Sequence, residues 1–383
     1  MNNKKIYSIV IFLIMTFVVI NSFVLVGAGN KIGDKSVVSI LKNNLFENSI
    51  PTSNSDAADD DNTRDLDKDF TLDYDADEED EPSEELADTE STFYPQAASG
   101  AVAIEATSKR VLCEENMNAK CYPASTTKVL TALVILNTLP LDRVVTVPKQ
   151  AEGVEGSSIY LHAGEKITVN DLLLGLMLRS GNDAATALAI EAAGSVDKFA
   201  LLMNETAKSV GAVNSHFVNP HGLHDNDHYT TAYDLALITA AAYENEEFVR
   251  IVSTKQAKIL IDDEPHYIAN KNKLLTLYEG ANGVKTGYTK KSGRCLVGGA
   301  IRGGMQIITV VLNYGDMWND TIRLLNYGFD NFEMVPLDNA LLKSDSAKTL
   351  IEIGCPSGVT EDWKNICYPL RKDGSEYLVL KAA

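Results

Sequence analysis

Apolar residues cluster in two separate parts of the chain. The first is a continuous apolar stretch from Ile6 to Val26, and a long polar and acidic segment follows it. From about Thr92 onward, alanine, valine, leucine and isoleucine become frequent and recur in short alternating or periodic segments. Because a buried core needs such periodic apolar positions, the pattern predicts that the folded domain begins near Thr92.

Short apolar segments at both ends of this domain alternate as β-strands do. Near its start, Ala101–Glu105 and Val111–Leu112 predict a hairpin with a polar turn. Near its end, three further segments predict strands: Gly283–Thr289, Arg294–Ile301 and Met305–Leu312. Since helical segments lie between the two groups, the pattern predicts a mixed α/β sandwich whose sheet is closed by strands distant in the chain.

The segments between these strands predict helices. Thr126–Leu139 is apolar on nearly every face and therefore predicts a central helix. Asn170–Leu178 predicts a second helix with Thr168 as its N-cap, and Ala184–Ala193 predicts a third. Ser195 fits the N-cap of a further helix.

The end of the chain predicts a small β-rich segment. Beyond Leu337, residues 338–383 contain the strand-like Leu350–Ile353 and an Asp373-Gly374 pair that predicts a hairpin before Tyr377–Leu380. A segment this short buries little surface by itself, so we expect it to pack on the main domain or to be partly disordered. We interpret it as a short, incomplete β appendage to a domain that spans residues 92–337.

Residues 1–28 have the features of an export signal. Lys4 and Lys5 precede the apolar stretch, and Val26-Gly27-Ala28 fits a cleavage site with small residues. The stretch is also long enough to span a bilayer, so an uncleaved N-terminal membrane anchor remains the alternative. Both interpretations predict a protein that leaves the cytoplasm for the cell envelope.

Residues 29–91 predict a disordered acidic tether. Between Asp56 and Glu90 there are 18 acidic residues against two basic ones, Arg64 and Lys68. Such a segment repels itself and has too few apolar residues to offset the entropy lost on ordering. A calcium-binding tail is the alternative, but the run lacks the glycine and terminal glutamate of a loop that gathers ligands around the ion.

Charge excludes two classes of partner. The chain carries 34 basic and 53 acidic residues, for a net charge of −19, and the tether accounts for most of the excess. The remainder is nearly balanced, so it lacks the basic patch that a nucleic-acid-binding protein needs. An acidic surface also repels anionic lipid headgroups.

Three Ser-x-x-Lys spacings occur in the chain. On a helix this spacing places hydroxyl and amine on one face, so a neutral amine can take the hydroxyl proton. Two of them have simpler interpretations, because Ser39 lies before the acidic run that begins at Asp56, outside the predicted folded domain, and Ser195 fits a helix cap. Only Ser125, three residues before Lys128, opens a helix predicted to be buried.

Two further motifs complete a three-part signature. Ser180-Gly181-Asn182 and Lys285-Thr286-Gly287 follow the Ser125 motif in the order found in penicillin-binding proteins and serine β-lactamases. The chain resembles the low-molecular-mass D-alanyl-D-alanine carboxypeptidases from about Thr92 to Leu337. The segments that carry the resemblance are Pro123–Lys128, Gly156–Leu161, Ser180–Ala184, Tyr229–Ala236 and Lys285–Thr289.

The resemblance implies a fold and four catalytic residues. The fold is a penicillin-binding, β-lactamase-like sandwich of a mainly antiparallel sheet and a helical cluster. Ser125 would attack the carbonyl between two terminal D-alanines, and Lys128 would be its base. Ser180 would relay a proton to the departing amine, and Asn182 would hold both Lys128 and the substrate amide.

The resemblance also implies a substrate-binding strand. Lys285 and Thr286 would meet the terminal carboxylate, and Gly287 would let the strand approach closely. The backbone N–H groups of Ser125 and Tyr288 would bind the oxyanion. The expected substrates are peptidoglycan stem peptides, with β-lactam antibiotics as inhibitors, and no cofactor or metal is expected.

Other functions stay open to different degrees. An endopeptidase or transpeptidase would use the same acyl-enzyme, and an inactive peptidoglycan-binding module would keep only the fold. A class A β-lactamase is disfavoured, because its usual Ser-Asp-Asn and its loop Glu before Leu-Asn are not visible. A zinc hydrolase is disfavoured because no His-Glu-x-x-His occurs; His221, His224 and His228 are interpreted as solvated loop residues.

The remaining polar residues near the motifs have structural interpretations. Asp183 is expected to be an exposed helix cap. Tyr233 and Asp234 are expected to serve packing and hydrogen bonding.

Five cysteines in an exported protein leave at least one unpaired. We expect a bridge between Cys113 and Cys121, and Cys355 and Cys367 could form a second. Cys295 is expected to be a buried small apolar residue.

Overall fold

A computed structural model describes residues 100–336, 349–354 and 367–381. The sequence predictions of an export signal, an anchor and an acidic tether concern residues 1–91, which lie outside the described residues. Within the described ranges, no helix combines the length and apolar character needed to cross a bilayer.

The central element is a five-stranded antiparallel sheet in the order β2-β1-β9-β8-β7. Its strands are β1 (Gly100–Glu105), β2 (Val111–Glu115), β7 (Ala281–Thr289), β8 (Gly293–Arg302) and β9 (Met305–Tyr314). Strand β1 pairs with β9, with Val102 opposite Val310. The sheet is therefore closed by strands from the two ends of the domain, as the alternation of apolar residues predicts.

Helices cover both faces of this sheet. On one side lie α1 (Lys128–Thr138), α2 (Val169–Leu174), α3 (Asn182–Ala193), α4 (Val196–Ser209), α5 (Ala232–Tyr243) and α6 (Glu246–Ser253). The other side is covered by α8 (Met317–Asn331), and a short α7 (Leu274–Leu277) leads into β7. Each face has its own apolar cluster, which Val102 and Leu130 represent on the first side and Ile307 and Leu325 on the second.

Helix α1 lies at the centre of the first cluster. Residues Lys128 to Ile135 are all buried, because alanine, valine, leucine and isoleucine occupy every face of the helix. It packs against α3, α4 and α5. The prediction of a central helix is confirmed, with one difference at its start, where Ala124–Thr127 forms a 3₁₀ turn before the α-helix.

Serine and threonine side chains cap the N-termini of several helices. Thr168 Oγ1 accepts a hydrogen bond from Asp171 N at the start of α2, and Ser195 Oγ accepts one from Lys198 N at the start of α4. Each bond satisfies a backbone N–H that has no partner inside the helix. Both caps agree with the sequence predictions, and Thr231 caps α5 in the same way.

Two small hairpins lie outside the central sheet. Strand β3 (Val144–Thr146) pairs with β4 (Lys166–Thr168), and β5 (Gln256–Ile261) pairs with β6 (Glu264–Ala269). The second pair was not predicted from the sequence. Its turn residues, Asp262 and Asp263, both have positive φ.

The C-terminal segment packs on the main domain. Strand β10 (Phe332–Pro336) pairs with β12 (Cys367–Arg371), and β11 (Thr349–Gly354) pairs in parallel with β13 (Glu376–Lys381). The predicted turn at Asp373-Gly374 lies between β12 and β13, but each of these strands pairs with an earlier one. The predicted hairpin is therefore wrong.

Arg110 attaches this segment to the β1–β2 turn. Its guanidinium donates two 2.7 Å hydrogen bonds to the carboxylate of Glu376 and lies over the rings of Phe332 and Tyr368. A planar cation that meets a carboxylate with two donors and also stacks on aromatic rings makes a specific contact. The expectation that the segment packs on the domain is confirmed for these residues.

The cysteine prediction is wrong for the first pair. Cys113 and Cys121 are free thiols, as are Cys295 and Cys367. Cys113 packs with the apolar cluster beneath α8, whereas Cys121 belongs to the cluster beneath α1 and α5. Eight residues of separation suggested a bridge, but the sheet lies between the two side chains. Cys295 is fully buried, as predicted, and Cys355 lies outside the described residues.

Candidate active site

The first element of the site is the turn that carries Ser125. Thr126 Oγ1 donates to Pro123 O at 2.5 Å, which tightens the 3₁₀ turn Ala124–Thr127. Ala124 has a φ of +47°, a backbone conformation that residues other than glycine rarely adopt. Ser125 is half-buried at the N-terminal end of α1, where the helix dipole favours negative charge.

Lys128 is fully buried directly behind Ser125. Its Nζ donates to Ser125 Oγ at 3.1 Å, to Asn182 Oδ1 at 2.7 Å and to the His221 carbonyl at 2.7 Å. Burial, and next the positive charges of Lys285 and Lys271, hold its pKa well below the usual value, although Asp183 acts in the opposite direction. A lowered pKa favours the neutral form of the amine, and a neutral amine can act as a base.

Asn182 approaches Lys128 from the start of α3. A π-helical turn, Gly175–Arg179, ends at Ser180, whose φ is +65°, and α3 then begins at Asn182. Asn182 Nδ2 donates to Glu155 O at 2.6 Å, which fixes its amide so that Oδ1 faces the lysine. Ser180 is buried in the turn just before Asn182.

Asp183 is buried, so the expectation of an exposed cap is wrong. Its carboxylate accepts hydrogen bonds from Ser158 Oγ, Ile159 N and Leu161 N. It therefore fixes the segment 155–161, whose carbonyls at Glu155 and Ser157 accept from the side chain and backbone of Asn182. The Ser-Gly-Asn motif does not show this role, since Asp183 acts on a segment more than 20 residues earlier in the chain.

Strand β7 forms the wall of the candidate site opposite Asn182. A Cβ atom on Gly287 would lie 2.9 Å from Ser125 N and 3.0 Å from Thr126 N, so the strand passes directly over the turn that carries Ser125. Lys285 is fully buried, and burial, followed by the charge of Lys271, lowers its pKa to about 7. Tyr288, the residue after Gly287, is 64% exposed.

The histidine stretch is solvated only in part: His224 is exposed, as expected, whereas His221 is half-buried. His228 is buried, and burial lowers the pKa values of both His221 and His228 to about 3. His224 packs edge-on against Tyr122, just before the nucleophile turn. The Pro and Gly of this stretch suggested an exposed loop, but the His228 ring and two backbone carbonyls bond to the segment that begins at Thr127. Among the described residues, no group of His, Cys, Asp and Glu side chains could hold a metal ion.

One further residue, Lys271, escaped the sequence interpretation. Lys271 is half-buried, its backbone N–H donates to Leu178 O, and its charge lowers the pKa of both Lys128 and Lys285. No motif contains it. Asp234, expected to serve hydrogen bonding, does so: it is buried and accepts from Asn214 N and Ser215 Oγ.

Comparison with known proteins identifies the family of this chain. The family model described as D-alanyl-D-alanine carboxypeptidase, peptidase family S11, matches residues 87–315, which is more than half of the chain. The chain belongs to this family. Its fold is therefore that of the penicillin-binding enzymes, as the three motifs predicted.

Individual relatives support the same assignment. The chain is 34% identical to the D-alanyl-D-alanine carboxypeptidase DacF of Bacillus subtilis, over 63% of this chain and 64% of DacF. It therefore spans slightly less than two thirds of that relative. A mutant of the Streptomyces K15 DD-transpeptidase is 34% identical with a TM-score of 0.59, over 61% of this chain and 98% of that one. A penicillin-binding protein homologue from Mycobacterium tuberculosis is 33% identical with a TM-score of 0.60, over 62% and 94%.

Proposed function

We propose that this protein is a serine-type D-Ala-D-Ala carboxypeptidase that removes the terminal D-alanine from peptidoglycan stem peptides. The observation that carries the proposal is the environment of Lys128. Its buried amine has a lowered pKa and lies 3.1 Å from Ser125 Oγ, with Asn182 and the His221 carbonyl as its other partners. This arrangement supplies a base for a hydroxyl that is otherwise a weak nucleophile.

In the acylation step, Ser125 Oγ attacks the carbonyl carbon between the two D-alanines. Lys128 Nζ takes the hydroxyl proton as the new C–O bond forms. The negative charge on the carbonyl oxygen is stabilised by the backbone N–H groups of Ser125 and Tyr288, each worth about 3 kcal/mol. The close approach of Gly287 to Ser125 N supports this pairing of donors.

When the tetrahedral intermediate collapses, the C–N bond breaks and the nitrogen of the departing D-alanine needs a proton. We propose that Ser180 relays this proton from Lys128, because it lies in the buried turn that leads into Asn182. Water then attacks the acyl-enzyme, and Lys128 serves again as the base. The products are free D-alanine and the shortened peptide.

Recognition of the substrate carboxylate falls to β7. We propose that Lys285 and Thr286 meet the terminal carboxylate, while Asn182 holds the peptide amide. A lysine whose pKa is about 7 is partly charged at neutral pH, and a bound carboxylate would raise that pKa and favour the charged form. No cofactor is needed for any step.

The test is incubation with a labelled penicillin followed by peptide mapping. We expect one label per chain, on the peptide that contains Ser125, and no label in Ser125→Ala. Ser195→Ala is the matched control, because Ser195 stands in the same Ser-x-x-Lys spacing but caps α4. Label elsewhere, or none, would contradict the mechanism, and absence of label would favour the inactive binding module.

A second reaction of the same acyl-enzyme has a specific observation in its favour, since one of the similar solved structures is a DD-transpeptidase. In that case an amine acceptor takes the place of water. Incubation of a D-Ala-D-Ala peptide with and without an added D-amino acid distinguishes the two. Free D-alanine with an unmodified shortened peptide supports the carboxypeptidase, and exchange of the terminal residue supports the transpeptidase. Cleavage of cross-linked peptides would support an endopeptidase.

A penicillin should inhibit rather than be consumed. Its leaving group stays attached to the acyl-enzyme and obstructs water. An increase of about 1.4 kcal/mol in the barrier to hydrolysis lengthens the lifetime of the ester tenfold. We therefore expect the acyl-enzyme formed with penicillin to hydrolyse slowly, whereas a D-Ala-D-Ala peptide should be turned over repeatedly. Rapid hydrolysis of penicillin without release of D-alanine would indicate a β-lactamase.

The proposed substrate also fits the predicted location. Peptidoglycan stem peptides lie outside the cytoplasm, and residues 1–28 have the features of an export signal or anchor. We propose that the protein acts in the cell envelope, secreted or held by its N-terminus.

A further inference from the structure

Residues 216–228, the histidine loop, cover the nucleophile helix. The Pro220 carbonyl accepts a 2.6 Å hydrogen bond from Thr131 Oγ1, and the next carbonyl, that of His221, accepts the 2.7 Å bond from Lys128 Nζ. The loop therefore supplies one of the three acceptors that fix the amine. Its position relative to α1 decides where the amine lies with respect to Ser125.

The loop is held in one conformation by its own side chains. Asn219 Oδ1 accepts from Gly222 N at 2.7 Å, and Asn219 Nδ2 donates to Leu223 O at 2.9 Å. Gly222 has a φ of +88°, and a Cβ atom there would overlap the carbonyl oxygen of Ala124. Loop and nucleophile turn thus fit together at backbone distance, and a shift of either one moves the other.

His228 links the end of this loop to α1. Its Nδ1 accepts a 3.1 Å hydrogen bond from Val218 N, and its Nε2 lies 2.8 Å from Thr127 Oγ1. A ring nitrogen that accepts carries no proton, so the proton of the neutral ring is on Nε2 and is donated to Thr127. Thr127 lies between Ser125 and Lys128 in the chain, and the ring edge also packs against Phe217.

We propose that His228 and Thr127 form a positioning pair that holds the His221 carbonyl against Lys128 and so aligns the amine with Ser125. The proposal rests on the proposed function, since it assigns a role to residues that support the same base. Neither side chain is required to touch the substrate. Their bond joins the loop that presents the acceptor to the helix that presents the amine.

Loss of this bond should affect the rate of acylation rather than the affinity for penicillin. The Lys128 amine lies 3.1 Å from Ser125 Oγ, at the outer limit of a good hydrogen bond. A misplacement of about 1 Å at a reacting group can cost about 100-fold in rate. The hydrogen bonds of the His228 ring go to Thr127 and Val218 and not to Lys285 or Thr286, the residues proposed to meet the carboxylate. The dissociation constant of the non-covalent penicillin complex should therefore stay unchanged.

The test uses four single variants of the full-length chain and the double variant of Thr127→Val with His228→Asn. Thr127→Val removes the hydroxyl and keeps the branched shape, whereas Thr127→Ser keeps the hydroxyl. His228→Asn keeps an acceptor near the Nδ1 position and loses the Nε2 donor, and His216→Asn is the control for an exposed histidine on the same loop. For each variant, stopped flow with a fluorescent penicillin gives the acylation rate constant and the dissociation constant, and titration gives the fraction of active sites.

We expect Thr127→Val and His228→Asn each to lower the acylation rate constant about 10- to 100-fold per titrated site. The double variant should be no slower than the slower single one, because both changes break the same bond. Thr127→Ser and His216→Asn should stay within about threefold of the wild type.

Three outcomes would overturn the proposal. These are a wild-type rate per active site in Thr127→Val, an equal loss in Thr127→Ser, or a loss of titratable sites with an unchanged rate at those that remain. The last outcome would mean that the pair only stabilises the fold. If the wild type itself fails to label Ser125, the proposed function is wrong, and that result is distinct from all three.

Discussion

The candidate active site and the region beneath α8 bury polar groups in opposite ways. In the active site, the Lys128 amine has three hydrogen-bond acceptors, and Asn182 and Asp183 are bonded at every side-chain group described. Beneath α8, Glu115, Tyr314 and Asp320 form an acidic cluster. Glu115 Oε2 and the Tyr314 hydroxyl are close together there but form no hydrogen bond of regular geometry.

The difference separates polar groups held for chemistry from polar groups that only cost stability. Burial lowers the pKa of Lys128, which produces a base, and the partners that hold it limit its motion. Burial raises the pKa of Asp320 to about 6, with further small contributions from Asp316 and Glu115, but no nucleophile or binding wall lies among the residues described around it. Substitutions in the two regions should therefore affect different measurements.

The largest effect should follow from Lys128→Arg. Arginine keeps the positive charge but does not release its proton near neutral pH, so acylation by penicillin should fall about 10²- to 10⁴-fold. The measurement is the acylation rate constant, with circular dichroism to confirm folding. Lys198→Arg is the matched control, because this exposed lysine lies three residues after a capping serine. Near-wild-type acylation by Lys128→Arg would show that the proton goes elsewhere.

The next effect should follow from Gly287→Ala. The added methyl group would lie 2.9 Å from Ser125 N, pushing β7 away from the donors proposed for the oxyanion. We expect acylation to fall about 100-fold or more. Gly315→Ala is the control, since a Cβ atom there meets nothing within 4 Å. Equal acylation rates in the two variants would contradict the placement of the oxyanion site.

In the acidic cluster, Asp320→Asn should raise stability and leave acylation unchanged. The folded pKa of about 6 exceeds the usual 3.8, so the folded protein binds the proton more tightly and stability falls as pH rises through this window. The variant lacks this loss and should unfold at a higher urea concentration at pH 7. We expect its free energy of unfolding to be about 1 kcal/mol greater, after allowance for the lost Arg323 ion pair. The same stability difference at pH 4 would contradict this account.

The smallest effect concerns the thiols. Because Cys113 and Cys121 lie on opposite sides of the sheet, a reducing agent should change neither the unfolding midpoint nor the acylation rate. Non-reducing mass spectrometry should find both thiols free in exported protein. A Cys113 to Cys121 bridge would mean that the hairpin is arranged differently from this structure.

The sequence predicted the sheet and the central helix because both depend on local periodicity. Strands β7, β8 and β9 and helix α1 have apolar patterns that admit few alternatives. Two predictions about pairing failed for a common reason. Both the Cys113–Cys121 bridge and the hairpin at Asp373-Gly374 were inferred from short separations in the chain. In the structure, the contacts of these residues depend instead on how distant segments pack.

Within the candidate site, the motifs identified the residues for which we propose catalytic roles but not the residues that hold them in place. Ser125, Lys128 and Asn182 are brought together as the motifs imply. The roles of Asp183 and His228 depend on contacts with segments 22 and 101 residues away in the chain, which no local pattern reveals. The stretch that contains Pro220 and Gly222 did offer one signal. Its backbone groups need hydrogen-bond partners, and this requirement suggests contact with the rest of the domain.

The most direct test of the central claim is the pH dependence of acylation by a labelled penicillin. The claim is that one cleft holds a neutral lysine as base and a charged lysine as anchor. The second-order rate constant of acylation, which reports the free protein, should rise with pH as Lys128 loses its proton. It should fall again as pH passes about 7, where Lys285 of the free protein loses the charge that attracts the carboxylate. A rate that rises to a plateau and stays there up to about pH 10, the range in which an ordinary lysine titrates, would contradict the account.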